Sequence, residues 1–216
     1  MPDDKQLKHD VLAELAWEPS VTAAHIGVAV HDGVVTLTGH VTSFVEKHLA
    51  EAAAGRVKGV KAIAEEVEVR LPFDHQRGDE EIAAAAVTRL EWDVSVPNSA
   101  IKVNVEDGQL TLFGQVEWHY QKEAAGWDVR GLQGVVGVSN QITVKPKADD
   151  ANLGDSILHA LHRSWFFDPK TITVTDDRGK VRLSGTVHSW HDRQMVAEIA
   201  WAAPGTTDVE NDILVA

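Results

Sequence analysis

One stretch of this chain occurs three times, and that repetition decides what the chain can fold into. Ile26 to Val41, IGVAVHDGVVTLTGHV, returns as Ile101 to Val116 and again as Ile172 to Val187. Each copy alternates apolar and polar residues, turns tightly at Gly33, Gly108 or Gly179, alternates again, and reaches a second glycine at Gly39, Gly114 or Gly185. Two alternating runs joined by such a turn predict a β-hairpin. The turn glycine supplies a positive φ that a side chain resists, and Asp32 and Asp107 just before it suit the same turn. A fixed internal offset outranks chain length as a guide to architecture, so 216 residues are read as three small units in series.

The flanking segments repeat as well. Ahead of the first hairpin, Leu7, Val11, Leu12 and Leu15 fall at helical spacing, and Ile82, Ala86, Val87 and Leu90, then Leu153, Ile157, Leu158 and Leu161, occupy the same places in the other copies. Behind it, residues 43 to 57 carry Phe44, Val45, Leu49, Ala50, Ala53, Ala54 and Val57, which predicts a second helix that Gly59, Gly134 or Gly205 brings to an end. A last alternating strand follows, with Ile63, Val67 and Val69, then Val138, Ile142 and Val144, then Val209, Ile213 and Val215. The expected order is α-β-β-α-β. A helix between the second and third strands is long enough to cross over, so those strands should run parallel with a right-handed connection. The fold class is α+β: three tandem modules over residues 1–71, 76–147 and 150–216, each a small three-stranded mixed sheet with two helices on one face. The Pro-containing segments 71–78 and 145–151 read as linkers.

Composition narrows function by exclusion. Hydrophobic residues make up 44% of the chain and charged residues 25%, a globular balance, and no apolar run approaches the roughly 20 residues of a membrane span. The net charge of −13 is shared evenly, with 7 basic against 11 acidic residues in 1–71, 7 against 11 in 72–147, and 6 against 11 in 148–216. No module offers the basic stripe that nucleic acid requires, so nucleic acid is not an expected partner. Cysteine is absent, which excludes disulfides and thiol catalysis. The start, MPDDKQLKHD, lacks the basic and apolar segments of a secretory signal, and a cytoplasmic protein is the expectation.

The helix, strand, DG turn, strand, G-x-V, helix with a basic residue (Lys47, Lys122, Arg193), then G-V and an alternating strand resembles the BON domain, named for bacterial osmotically inducible and nodulation-related proteins. Three copies cover essentially the whole chain, and the overall likeness is to osmotic-shock-protection proteins of the bacterial envelope. The resemblance implies an αβ sandwich without catalytic activity that binds phospholipid surfaces or supports the envelope under stress.

Candidates for chemistry are few. The glycines match neither G-x-x-x-x-G-K-[ST] nor G-x-G-x-x-G in a strand-to-helix setting and are read as turn and packing positions. His159 with His162, and His188 with His191, are i,i+3 pairs that could share a metal, but no third ligand accompanies them and they are read as surface histidines. No nucleophile elbow or marked carboxylate pair occurs, so no enzyme, no cofactor and no metal site are expected. Seven tryptophans stand out. Trp17, Trp92 and Trp165, near the ends of the first helices, read as packing at the edge of the core. Phe44, Trp118 and Trp190 begin the second helices, with Lys47, Lys122 and Arg193 one turn on. An apolar wedge beside a cation suits a lipid headgroup boundary, so these six form the candidate binding surface. Three roles follow: a stress-associated module engaging a membrane or a protein partner, a small-ligand or cation sensor using acidic inter-module clefts, or a structural scaffold of repeats packed on one another or on a second copy.

Overall fold

A computed structural model describes residues 3–97, 99–146, 152–163 and 171–215. Its elements run α1 (Asp4–Trp17), β1 (Ile26–His31), β2 (Val34–Val41), α2 (Phe44–Arg56) and β3 (Ala62–Val69) in module 1. Module 2 has α3 (Asp79–Trp92), β4 (Ile101–Glu106), β5 (Gln109–Val116), α4 (His119–Arg130) and β6 (Gly137–Val144). Module 3 has α5 (Leu153–His162), β7 (Ile172–Asp177), β8 (Lys180–Val187), α6 (Trp190–Ala202) and β9 (Asp208–Val215). Each sheet keeps its strands in chain order, the first pair antiparallel and the second parallel, as the crossover helix requires.

Side chains of one sheet face and of the two helices above it close a core in each module. Val35 and Leu37 sit there in module 1, Leu110 and Leu112 in module 2, Val181 and Leu183 in module 3, each no more than 1% exposed. From the first helices come Leu7, Val11 and Leu15, Ile82, Ala86 and Leu90, and Leu153, Ile157 and Leu161. Two residues of the expected apolar stripe fall outside it: Leu12 and Val87 are exposed, since a helix resting on so small a sheet buries only a narrow strip. Three core clusters result, one per module.

The hairpin turn is type I′. Asp32 and Gly33 both have positive φ, 51° and 82°, as do Asp107 and Gly108 (50°, 74°) and Arg178 and Gly179 (51°, 87°). In modules 1 and 2 the carboxylate that opens the first helix grips the turn: Asp4 accepts from the amides of Asp32 and Gly33, Asp79 from those of Asp107 and Gly108. The second glycines have another reason. Gly39, Gly114 and Gly185 have φ of 110°, 144° and 133°, and a Cβ there would overlap the carbonyl oxygen of His25, Ala100 or Thr171.

The first-helix tryptophans do not pack as expected. Trp17 and Trp92 are 83% and 82% exposed, because each ends its helix past the last buried residue, Leu15 or Leu90. Trp165 lies outside the described residues.

Candidate functional site

The second helices of the three modules meet. Offsets of 75 and 71 residues make Phe44, His119 and Trp190 equivalent first residues of α2, α4 and α6, and make Gly55, Arg130 and Trp201 equivalent last-turn residues. Each helix start reaches the next module. Phe44 packs against the core of module 2. The His119 ring stacks on Trp201, 4.0 Å between centroids and 14° from parallel. The Trp190 ring lies against Gly55, where an added methyl group would stand 2.9 Å from Trp190 Cδ1. Between α2 and α4, His48 meets the edge of Trp127 at 5.3 Å, and Arg130 places its guanidinium 4.4 Å over the same indole and 3.4 Å from His48 Nε2. The three repeats therefore close head to tail into a ring of second helices.

Burial in this junction depresses the basicity of two imidazoles. His48 is held below the ordinary histidine range by desolvation first and by the Arg130 charge second, against a smaller opposing pull from Glu123. His119 is lowered by desolvation, with Lys122 adding to it and Glu123 opposing. Desolvation raises the Glu51 carboxyl in the same cleft.

The helices frame two adjoining open hollows. One, of about 430 Å³, lies between all three and is lined by residues that include His48, Glu51, Gly55, Arg130, Trp190 and Gln194. The other, of about 440 Å³, opens between α4 and α6 and is lined by Trp118, Tyr120 and Ala202. His119, Glu123, Trp127, Glu198 and Trp201 border both.

Of the six residues the sequence singled out, Trp118 and Trp190 line these hollows, and Phe44 is half-buried against module 2. Two of the three cations also bind the third strand of their own module. Lys47 donates to the Val67 carbonyl at 2.7 Å and pairs with Glu65 at 2.8 Å. Arg193 donates to the carbonyls of Ile213 and Asn211 at 3.0 and 2.6 Å and lies 4.9 Å from the Trp190 ring centre. In module 2 the tie runs through the backbone: Asn140 donates to the Lys122 carbonyl at 2.7 Å, as Asn211 does to that of Arg193 at 3.0 Å. The basic helix position thus tethers the second helix to the third strand.

Local capping sets Trp118 apart. Ser43 and Ser189 cap α2 and α6 by accepting from the amides of Glu46 and Asp192. At the same position α4 has Trp118, whose side chain caps no amide of the helix, and Gln121 reaches back to accept from the amides of Glu117 and Trp118. An indole stands where helix formation prefers a serine.

His48, His119, Glu123, Trp127, Arg130, Glu198 and Trp201 escaped the sequence reading. The available signal was the 75 and 71 offset itself, which aligns Phe44, His119 and Trp190 as a ring-bearing position, and two tryptophans on the helix side opposite Ala125, Val129 and Ala200. The paired histidines His159, His162, His188 and His191 are all exposed. Among the described residues no group of three or more His, Asp or Glu could hold a metal ion, and no helix is long and apolar enough to cross a membrane.

The three αββαβ modules, joined through their crossover helices, each fit a known family model. The BON domain model fits residues 3–70, 78–146 and 149–216, and the chain belongs to the BON domain family. Among curated proteins it is similar to the osmotically-inducible protein Y of Escherichia coli (strain K12), with 28% identity over 147 residues covering 66% of this chain and 73% of that one. Among solved structures it matches CdsD, a structural protein of the type III secretion system of Chlamydia trachomatis, with 16% identity, TM-score 0.27 and coverage of 98% of this chain and 92% of that one. It also matches the periplasmic domain of the secretion-system inner-membrane protein PrgH from S. typhimurium, with 13% identity, TM-score 0.25 and coverage of 94% and 99%. Likenesses this loose transfer nothing about function.

Proposed function

We propose that this chain is a non-enzymatic, stress-associated binding protein whose BON modules engage a phospholipid surface. The observation that carries the reading is the exposed pair Trp17 and Trp92, set at equivalent positions of two modules with more than four fifths of each side chain in water. An indole is amphipathic, with a broad apolar body and one N–H donor, and it partitions to the boundary between headgroups and acyl chains. Two such anchors on one chain act together where geometry lets both engage. The similarity to an osmotically inducible protein supports the stress setting. The charge of −13 directs the preference, since an anionic bilayer repels this chain over a Debye length of about 8 Å at physiological salt. Zwitterionic vesicles should therefore be bound in preference to anionic ones.

Flotation of wild type and a Trp17→Ala, Trp92→Ala variant with both kinds of vesicle tests this. The variant is expected to keep its circular dichroism spectrum and to stay at the bottom of the gradient. A folded variant that floats as well as wild type would discard this surface, and capture of one protein partner by wild type alone would move the reading from lipid to protein.

A small-ligand sensor is the second reading, favoured by the hollows between the helices.

A further inference from the structure

We infer that the hollow between α4 and α6 is a binding site for a small alkylated ammonium cation of the trimethylammonium kind. The inference is independent of the membrane reading above, because Trp17 and Trp92 take no part in this hollow.

Three indoles and a phenol line this open hollow: Trp118 and Tyr120 at the start of α4, Trp127 further along it, and Trp201 from α6. Glu123 and Glu198 supply two carboxylates, and neither Lys nor Arg is among the lining residues. His119 is stacked on Trp201, and burial lowers its basicity. Aromatic rings beside two carboxylates favour a cation over an anion, through ring quadrupoles and Coulomb energy together. The protein already demonstrates the first effect, since the Arg130 guanidinium sits 4.4 Å over Trp127.

The type of cation follows from what the lining lacks. Calcium or magnesium needs several oxygens at short, fixed distances, and the described residues offer no such group. A cation with methyl groups around its nitrogen carries diffuse charge and weak hydration, so it rests on indole faces with little desolvation. The volume of about 440 Å³ admits such a head with room to spare. Trp118 adds a second, separate argument. It occupies the position where Ser43 and Ser189 cap the sister helices, and a residue that breaks a local rule kept by both its counterparts points to a demand made by a site.

The test is a tryptophan-fluorescence titration of the full chain with tetramethylammonium and with choline, against sodium chloride at equal ionic strength and against the neutral carbon isostere of choline. Saturable change is expected with the two cations and not with the salt or the isostere. Glu198→Gln, a change on an exposed position, should weaken binding by about tenfold while leaving the melting temperature where it was. Tyr120→Ala, also exposed, should weaken it too. Vesicles with choline headgroups and matched vesicles with ethanolamine headgroups separate the sources. Retention on the former alone, competed by free choline, assigns the cation to a lipid; saturation by choline without vesicle retention assigns it to a free solute. No saturable change, an equal response to the isostere, or unaltered affinity in folded Glu198→Gln would overturn the inference.

Discussion

Trp118 stands where both sister helices have a serine cap. A serine there would accept from the backbone as Ser43 and Ser189 do, so Trp118→Ser should raise stability by about 1 kcal/mol in urea denaturation, within the range measured for N-caps. The same change should weaken cation binding; a variant less stable than wild type would mean that the indole is needed for packing. At this scale the sequence was partly readable. The turn residues announced themselves, since Gly33 and Gly39 need conformations that other side chains resist. Lys47 and Arg193 were harder, because sequence shows a cation one turn from an aromatic but not the strand carbonyl within its reach. Trp17 and Trp92 look like core residues by type, and only their position beyond the last buried turn puts them in water.

Among the elements, the second helices carry what the sequence left hidden. Each was recognisable as a helix, and Ala50, Ala53 and Ala54, or Ala125 and Val129, mark the side facing its own sheet. The opposite side, with Trp127 and Trp201, could equally have met solvent, because periodicity records one buried face and says nothing of a neighbour 71 or 75 residues away. That buried contact makes the ring sensitive to acid. The folded-state pKa values of His48 and His119 lie below the ordinary value, so the unfolded chain takes up protons first as pH falls below about 6.5. The stability these neutral rings contribute is complete above that pH and declines as pH drops toward their folded values. Glu51, whose folded pKa is raised, works in the opposite direction. Thermal melts should accordingly give a lower midpoint at pH 5.5 than at pH 7.5, with the difference reduced in His48→Gln, His119→Gln; a pH-independent midpoint would contradict neutral, buried imidazoles at the junction.

For the whole molecule, three repeats of αββαβ were legible from spacing alone, and the parallel pairing of the second and third strands followed from the crossover helix. Their arrangement was not, because each module satisfies its own hydrogen bonds and core, and the contacts that join modules come from single residues such as Trp190 and His119 that differ from copy to copy. The second helices close into a ring, which brings module 1 against module 3 through Gly55 and Trp190. The most direct measurement is the amide and indole NMR spectrum of Gly55→Ala. A methyl group at that position would stand 2.9 Å from Trp190 Cδ1 and 3.4 Å from its Nε1, so the Trp190 indole N–H and the amides at the start of α6 should shift although they lie far away in sequence. Shifts confined to module 1, with the Trp190 indole signal unmoved, would contradict a closed ring.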